Sequence, residues 1–286
     1  MGTRIIAIAN QKGGVGKTTT TVNLAACLTV LKKNVLLIDL DPQANATSGV
    51  GLEKTPEMSI YKALLEDGRA RDVIQATEYK RLDMIASELD LAGAEVDIAR
   101  TDNYLHRLRN ALADLKNAGL YDFILIDCPP SLGILTMNAL TAAHSVLIPI
   151  QCEYYALEGL TIMTEIIRKL HQSGANPELD IEGIVMTMYD MRTNLSQAVV
   201  QEVSQHFGDK IYETLIPRTV RLSEAPSFGK PIIAYDSRST GAVAYLQLAK
   251  EVIARCKAED ARAAAEESAS TPPPAPALSP EVSSGV

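Results

Sequence analysis

Residues 11–18 read Gln-Lys-Gly-Gly-Val-Gly-Lys-Thr, two lysines separated by glycines and closed by a hydroxyl. Glycine lets the backbone curl until several N–H groups point at one anion, and a helix starting at Lys17 adds its positive N-terminus. The chemistry this predicts is phosphate binding. Gly13, Gly14, Val15 and Gly16 supply the cradle, Lys17 reaches the β and γ phosphates, the Thr18 hydroxyl can ligate Mg2+, and Thr19 follows on the helix. The run departs from the plain G-x-x-x-x-G-K-[ST] pattern, because Gln11 stands where glycine would and Lys12 adds a second ammonium. A second cation in a phosphate loop needs an anion to offset it. Either a phosphate bound by another subunit supplies it, or Lys12 is a solvated loop lysine.

Three acids complete the candidate chemistry. Asp39 and Asp41 close one apolar run and open a loop, and Asp127 closes another. Carboxylates at the C-terminal ends of parallel strands lie beside a phosphate loop, where Mg2+ would bind. Asp127 has the placement to hold the ion through water. Asp39 can hydrogen-bond its own loop. The [NT]KxD signature of guanine recognition is absent, which favours adenine.

The elements that must position these residues read as short β-rich runs alternating with amphipathic stretches. Strands are expected at 4–9, 34–39, 82–86, 122–127, 145–150, 181–187 and 210–214, with helices near 17–31, 59–66, 104–118, 156–171, 194–207 and 241–256. Several strands are continuous Val/Ile/Leu, as when a parallel sheet is covered on both faces. The fold class expected is α/β, a doubly wound, mostly parallel twisted sheet flanked by helices. The longest apolar runs are strand-length and there is no secretory pattern, so a soluble, cytoplasmic protein is expected. Cys27, Cys128, Cys152 and Cys256 form no CxxC pair and read as buried small side chains. A net charge of −8 opposes indiscriminate attraction to nucleic acid, so any such binding needs a local basic patch.

Taken together, the motifs resemble one family. Residues 12–18 resemble the deviant Walker A loop of the ParA/MinD ATPases, 39–45 (Asp-Leu-Asp-Pro-Gln-Ala-Asn) their switch I, and 123–130 their Walker B strand and switch II. The stretches 151–159 (Gln-Cys-Glu-Tyr-Tyr-Ala-Leu-Glu-Gly) and 216–226 are similar to the chromosomal ParA/Soj branch. The resemblance covers about residues 3–256. It implies a P-loop ATPase domain at 1–257, while composition makes 258–286 a disordered Ala/Pro/Ser-rich tail whose Ala-Arg-Ala-Ala-Ala-Glu-Glu stretch could prolong the last helix. The resemblance also implies ATP and Mg2+ as cofactors, slow hydrolysis without a partner, Asp41 orienting the attacking water, Asp39 supporting the metal region, and Pro217 and Arg218 flanking the adenine. Lys12 would supply positive charge across an ATP-dependent homodimer. Further expectations are non-specific DNA binding, a ParB-type centromere-binding partner that stimulates hydrolysis, and a place on the nucleoid.

Candidate DNA-contacting cations are Arg192, Arg218 and Arg221, with Lys230 and Arg238 behind them. Phosphate contacts from such residues give salt-sensitive, sequence-independent affinity. Scattered arginines of this density are also ordinary surface composition, and the resemblance is what favours Arg192 and Arg218. Two other classes were weighed. A MinD-like membrane ATPase would end in a basic amphipathic helix, whereas no lysine follows Lys257 here. A phosphorylating ligase or a reductase component can share the deviant loop, but a nitrogenase-type reductase needs cluster-binding cysteines, and Cys128 has no convincing second ligand.

Overall fold

In the computed structural model, which describes residues 2–65 and 68–270, seven strands form one sheet in the order β3-β4-β2-β5-β1-β6-β7. They are β1 Arg4–Ile8, β2 Val35–Asp39, β3 Gln75–Ala76, β4 Leu82–Ile85, β5 Phe123–Asp127, β6 Ser145–Gln151 and β7 Asp180–Thr187. All pairings are parallel except that of β3, a two-residue antiparallel edge. The doubly wound α/β expectation is met. Because side chains alternate across a strand, Ile5 and Ala7 of β1 enter one apolar core while Ile6 and Ile8 enter the other. This two-sided burial is why the strands read as unbroken apolar runs.

Helices α1 (Lys17–Val30), α2 (Asn45–Gly49), α3 (Ile60–Leu65), α4 (Leu91–Ile98), α5 (Arg107–Ala111) and α6 (Ala113–Ala118) occupy the first half of the chain. They are followed by α7 (Ile134–Ala142), α8 (Ala156–Ser173), α9 (Asn194–Phe207), α10 (Val220–Glu224), α11 (Ile232–Tyr235) and α12 (Thr240–Ser270). Helices α1 and α12 pack together over one face, where Tyr245 of α12 shares a hydrogen bond of 3.2 Å with Thr20 of α1. Among the described residues no helix is long and apolar enough to cross a membrane.

Three expectations need correction. The strand expected at 210–214 does not form, although Ile211 makes one bridge to Ile184 and Tyr212 donates its N–H to the Ile184 carbonyl. The Glu251 carboxylate accepts the next two N–H groups, Glu213 at 3.0 Å and Thr214 at 3.4 Å, and so diverts the backbone from the ladder. The helix expected at 104–118 is two short helices starting at Arg107. Asn138 sets that start, its side chain taking the Leu108 N–H and donating to the Tyr104 carbonyl. Helix α12 runs past 257 to Ser270, so the part of the expected tail within the described residues is helical. Thr271–Val286, the Pro-rich part, lies outside them. Helix α7 gave no amphipathic signal because seven of its nine residues are buried.

One glycine is fixed by close approach. A Cβ on Gly183 in β7 would fall 2.3 Å from the Tyr212 ring, and the Arg255 guanidinium lies 4.1 Å over that same ring. Gly183→Ala must push a fully buried tyrosine out of this stack. Overpacking of this kind costs about 1–3 kcal/mol, and the expected result is a urea midpoint lowered accordingly, with nucleotide binding retained.

Candidate functional site

The sheet brings the predicted chemistry to one end, the C-terminal edge of β1, β2, β5 and β7. Between β1 and α1 the loop is pinned at three points. The Asn10 side chain donates to the Pro149 carbonyl at 2.8 Å and accepts the Lys12 N–H at 3.0 Å, while the Thr187 hydroxyl donates to the Val15 carbonyl at 2.8 Å. Gly14 and Gly16 take φ of 75° and 88°, the left-handed region where side chains are strained. A loop held this firmly presents its N–H groups without reorganising when an anion arrives. Lys17 is buried, its Nζ donating to the Lys12 carbonyl at 3.1 Å. Burial lowers its pKa, while the charges of Asp127 and Asp41 act against that shift.

The acids converge opposite this loop. Asp39 and Asp127 are register partners on the adjacent strands β2 and β5, both fully buried. Burial, then mutual repulsion, raises the Asp127 pKa well above the ordinary carboxylate range, with the Thr18 and Thr21 hydroxyls opposing the shift. Its Oδ1 accepts the Thr21 hydroxyl at 2.9 Å, and its Oδ2 has no hydrogen-bond partner. A buried, unpartnered carboxylate oxygen beside a phosphate loop fits a cation held jointly with phosphate. Thr18 and Asp127 are therefore the residues able to hold Mg2+. Among the described residues no three acidic, imidazole or thiol groups form a metal site by themselves.

Asp39 engages the loop that follows β2. Its Oδ1 accepts the Asp41 N–H at 3.0 Å and its Oδ2 accepts both the N–H and the hydroxyl of Thr47 at 2.8 Å. Both oxygens accept hydrogen bonds from the following loop, so Asp39 braces that loop, one of the two roles its position left open. Asp41 is also buried and accepts the Gln43 N–H at 2.9 Å.

Beside the loop opens a cavity of about 570 Å³ lined by Gly16, Thr19, Pro217 and Arg218. The structure thus brings Pro217 and Arg218, which the family resemblance set beside the adenine, next to Gly16 and Thr19 of the phosphate loop some 200 positions away. Sequence reasoning missed Thr187, Met188, Ile216, Val220, Leu222, Pro226 and Tyr245 in the same wall. Mostly apolar side chains carry no chemical signal in a sequence, yet they form the kind of surface a flat heterocycle fills.

The Lys12 side chain reaches the segment that follows β6. Its Nζ pairs with Glu153 Oε2 at 3.0 Å, both side chains a little under half exposed. Next to that pair Tyr154 and Tyr155 are exposed, 80% and 63%, in edge-to-face contact at 5.3 Å. The cations proposed for DNA are more constrained than composition suggested. Arg192 is doubly hydrogen-bonded to Asp190, at 2.9 and 2.7 Å. Arg221 lies between Glu224 at 3.1 Å and Asp236 at 3.6 Å. Arg218 is exposed, and a bridge between Tyr189 and Pro217 brings its segment beside that of Arg192. Lys230 instead lines a cavity with Thr18, Thr19 and Asn45, and Arg238 one with Glu213 and Glu251.

Comparison with known proteins agrees with this geometry. Residues 3–181 match a family model described as an AAA domain. The sporulation initiation inhibitor protein Soj of Bacillus subtilis is 57% identical over 252 residues, 88% of this chain and 98% of Soj. The chromosome partitioning protein ParA of Caulobacter vibrioides is 49% identical over 91% of this chain and 98% of its own length. Among solved structures, cobyrinic acid a,c-diamide synthase from Mycobacterium smegmatis with bound ADP and magnesium superimposes with a TM-score of 0.77. It is 36% identical, and the match covers 89% of this chain and 96% of that one. With a deviant phosphate loop facing Asp127 on a doubly wound sheet, and relatives of this identity along most of its length, the chain belongs to the ParA/Soj family of chromosome-partitioning P-loop ATPases.

Proposed function

We propose that this chain hydrolyses ATP with Mg2+ as a homodimer, that the ATP-bound dimer binds DNA without reading sequence, and that hydrolysis stimulated by a ParB-type partner releases it from the nucleoid during segregation. The observation that carries this reading is the divergence of the two lysines. Lys17 lies inside its own site, while Lys12 faces outward beside two exposed tyrosines. A cation and an aromatic pair at one surface make a seat for a second protomer's nucleotide. Leaving Glu153 costs Lys12 little, since exposed pairs contribute about 0–1 kcal/mol. Arg192, Arg218 and Arg221 are the proposed phosphate contacts, and for Arg192 and Arg221 that requires exchanging a carboxylate for DNA.

The test is DNA retention measured with ATP, ADP and no nucleotide across a salt series. Retention is expected with ATP alone, with log affinity falling linearly in log salt. Arg192→Glu should dimerise normally and lose at least tenfold in DNA affinity. Affinity indifferent to nucleotide contradicts the reading.

The Asp127 carboxyl adds a pH dependence. With its pKa raised, part of the population holds a proton that Mg2+ must displace, because the ligand is the anion. Mg2+–ATP should therefore bind more tightly as pH rises from about 6 to 8 and release protons on binding, seen as a buffer-dependent calorimetric heat. The sign for folding follows from the same shift. The raised pKa stabilises the Mg2+-free protein at low pH, and that stability is lost as pH climbs through it.

A further inference from the structure

The loop that carries Asp41 is strapped down at both ends. At its start the Asp41 N–H is held by Asp39 Oδ1, and at its end Thr47, in α2, returns to Asp39 Oδ2 through its N–H and its hydroxyl. The Thr47 hydroxyl has a second use, accepting the Ser87 N–H at 3.1 Å. Ser87 follows β4 in a turn whose neighbours are themselves fixed. The Ala86 carbonyl accepts the Ile60 N–H at 2.9 Å, and the Ser59 hydroxyl bonds to the Glu88 carboxylate. Thr47, Ser59 and Ser87 have no exposed surface, and Glu88 is 5% exposed. One hydroxyl therefore donates to the brace of the catalytic loop and accepts from a rigid turn of the neighbouring strand. Only a hydroxyl does both, and a methyl in its place leaves Asp39 one donor short and the Ser87 N–H without an acceptor.

We propose that Thr47 is a positioning residue for ATP hydrolysis, clamping the Asp39 brace to the β4 turn and thereby fixing Asp41 against the attacking water. The inference rests on the reading of Asp41 given above. Misplacement of a water-orienting group by a fraction of an ångström slows the chemical step and leaves the phosphate cradle, built from residues 12–18, unaltered. The effect belongs in kcat, with KM spared.

The test compares Thr47→Val, Thr47→Ser and Asp41→Ala in the full-length protein, with steady-state ATPase at saturating DNA, ATP affinity and thermal midpoint measured for each. Thr47→Val should lower kcat about tenfold or more with KM for ATP within twofold, and Thr47→Ser, which keeps the hydroxyl, should stay within twofold in both. If Thr47→Val does not fold, Thr47→Ala is read the same way. Wild-type kcat in Thr47→Val overturns the inference, as does a loss of ATP affinity parallel to the loss of kcat, or a Thr47→Ser as slow as Thr47→Val. Asp41→Ala separates the two claims. If it turns over normally, the reading beneath the inference fails and the inference with it, whereas a slow Asp41→Ala beside an unaffected Thr47→Val overturns the inference alone.

Discussion

Lys12→Ala should bind ATP nearly as well as the natural protein and yet fail to dimerise, with DNA binding lost in the same step. In the single chain Lys12 touches Glu153 across a half-exposed pair, so its removal takes about 0–1 kcal/mol from the protomer. In a two-fold dimer the same side chain acts twice, once in each direction. A hydrogen bond to a charged group is worth about 1.5–3 kcal/mol, so two Lys12–phosphate contacts account for roughly 3–6 kcal/mol. At 1.4 kcal/mol per decade, that weakens the dimer by about two to four orders of magnitude. Sedimentation with a slowly hydrolysed ATP analogue reads this directly. A Lys12→Ala protein that dimerises with natural affinity removes the role assigned to the outward lysine.

Asp41→Ala should show the opposite phenotype. Asp41 lies at the same end of the sheet as Lys17 and Asp127, near enough for its charge to act on both. Its contact to the Gln43 N–H is local, so its loss leaves the phosphate cradle and the Lys12 surface in place. Groups that position or activate a nucleophile contribute typically 10²–10⁴-fold in rate. Turnover should fall by about two orders of magnitude or more while ATP and the dimer are retained, so that the variant stays on DNA after free ATP is removed. Turnover of Asp41→Ala comparable to the natural protein contradicts the assignment. Lys12→Ala should abolish both dimers and DNA binding, and Asp41→Ala should prolong both, which places the two residues at separate steps of one cycle.

The sheet was legible because burial on both faces leaves a direct mark on composition. The Val35–Asp39 and Phe123–Asp127 strands are apolar up to the aspartates that end them, and the loop at 11–18 carries its chemistry in residue types alone. Where side chains override backbone preference, the sequence reading fell short. Glu251 pulls the 213–214 backbone off the sheet edge, and Asn138 delays the start of α5. Both are contacts between residues at least 30 positions apart, which no local pattern records. The site divides the same way. The phosphate loop and the aspartates at the strand ends were visible in residue types, whereas the bonds from Asp39 to its own loop were not. Arginines named as candidate DNA contacts proved to be paired, Arg192 with an aspartate two residues away and Arg221 with Glu224 and Asp236. The rest of the cavity wall beside Pro217 and Arg218 stayed hidden because Met188, Ile216, Val220 and Leu222 are ordinary apolar residues with no chemical signal.

The central claim is that nucleotide is shared between two chains through Lys12, and the mass of the ATP-loaded protein in solution tests it most directly. With Mg2+ and a non-hydrolysable ATP analogue the account predicts a particle of two chains, reverting to one chain with ADP. A particle that stays at one chain with the analogue bound, at concentrations well above those of the cell, would contradict it.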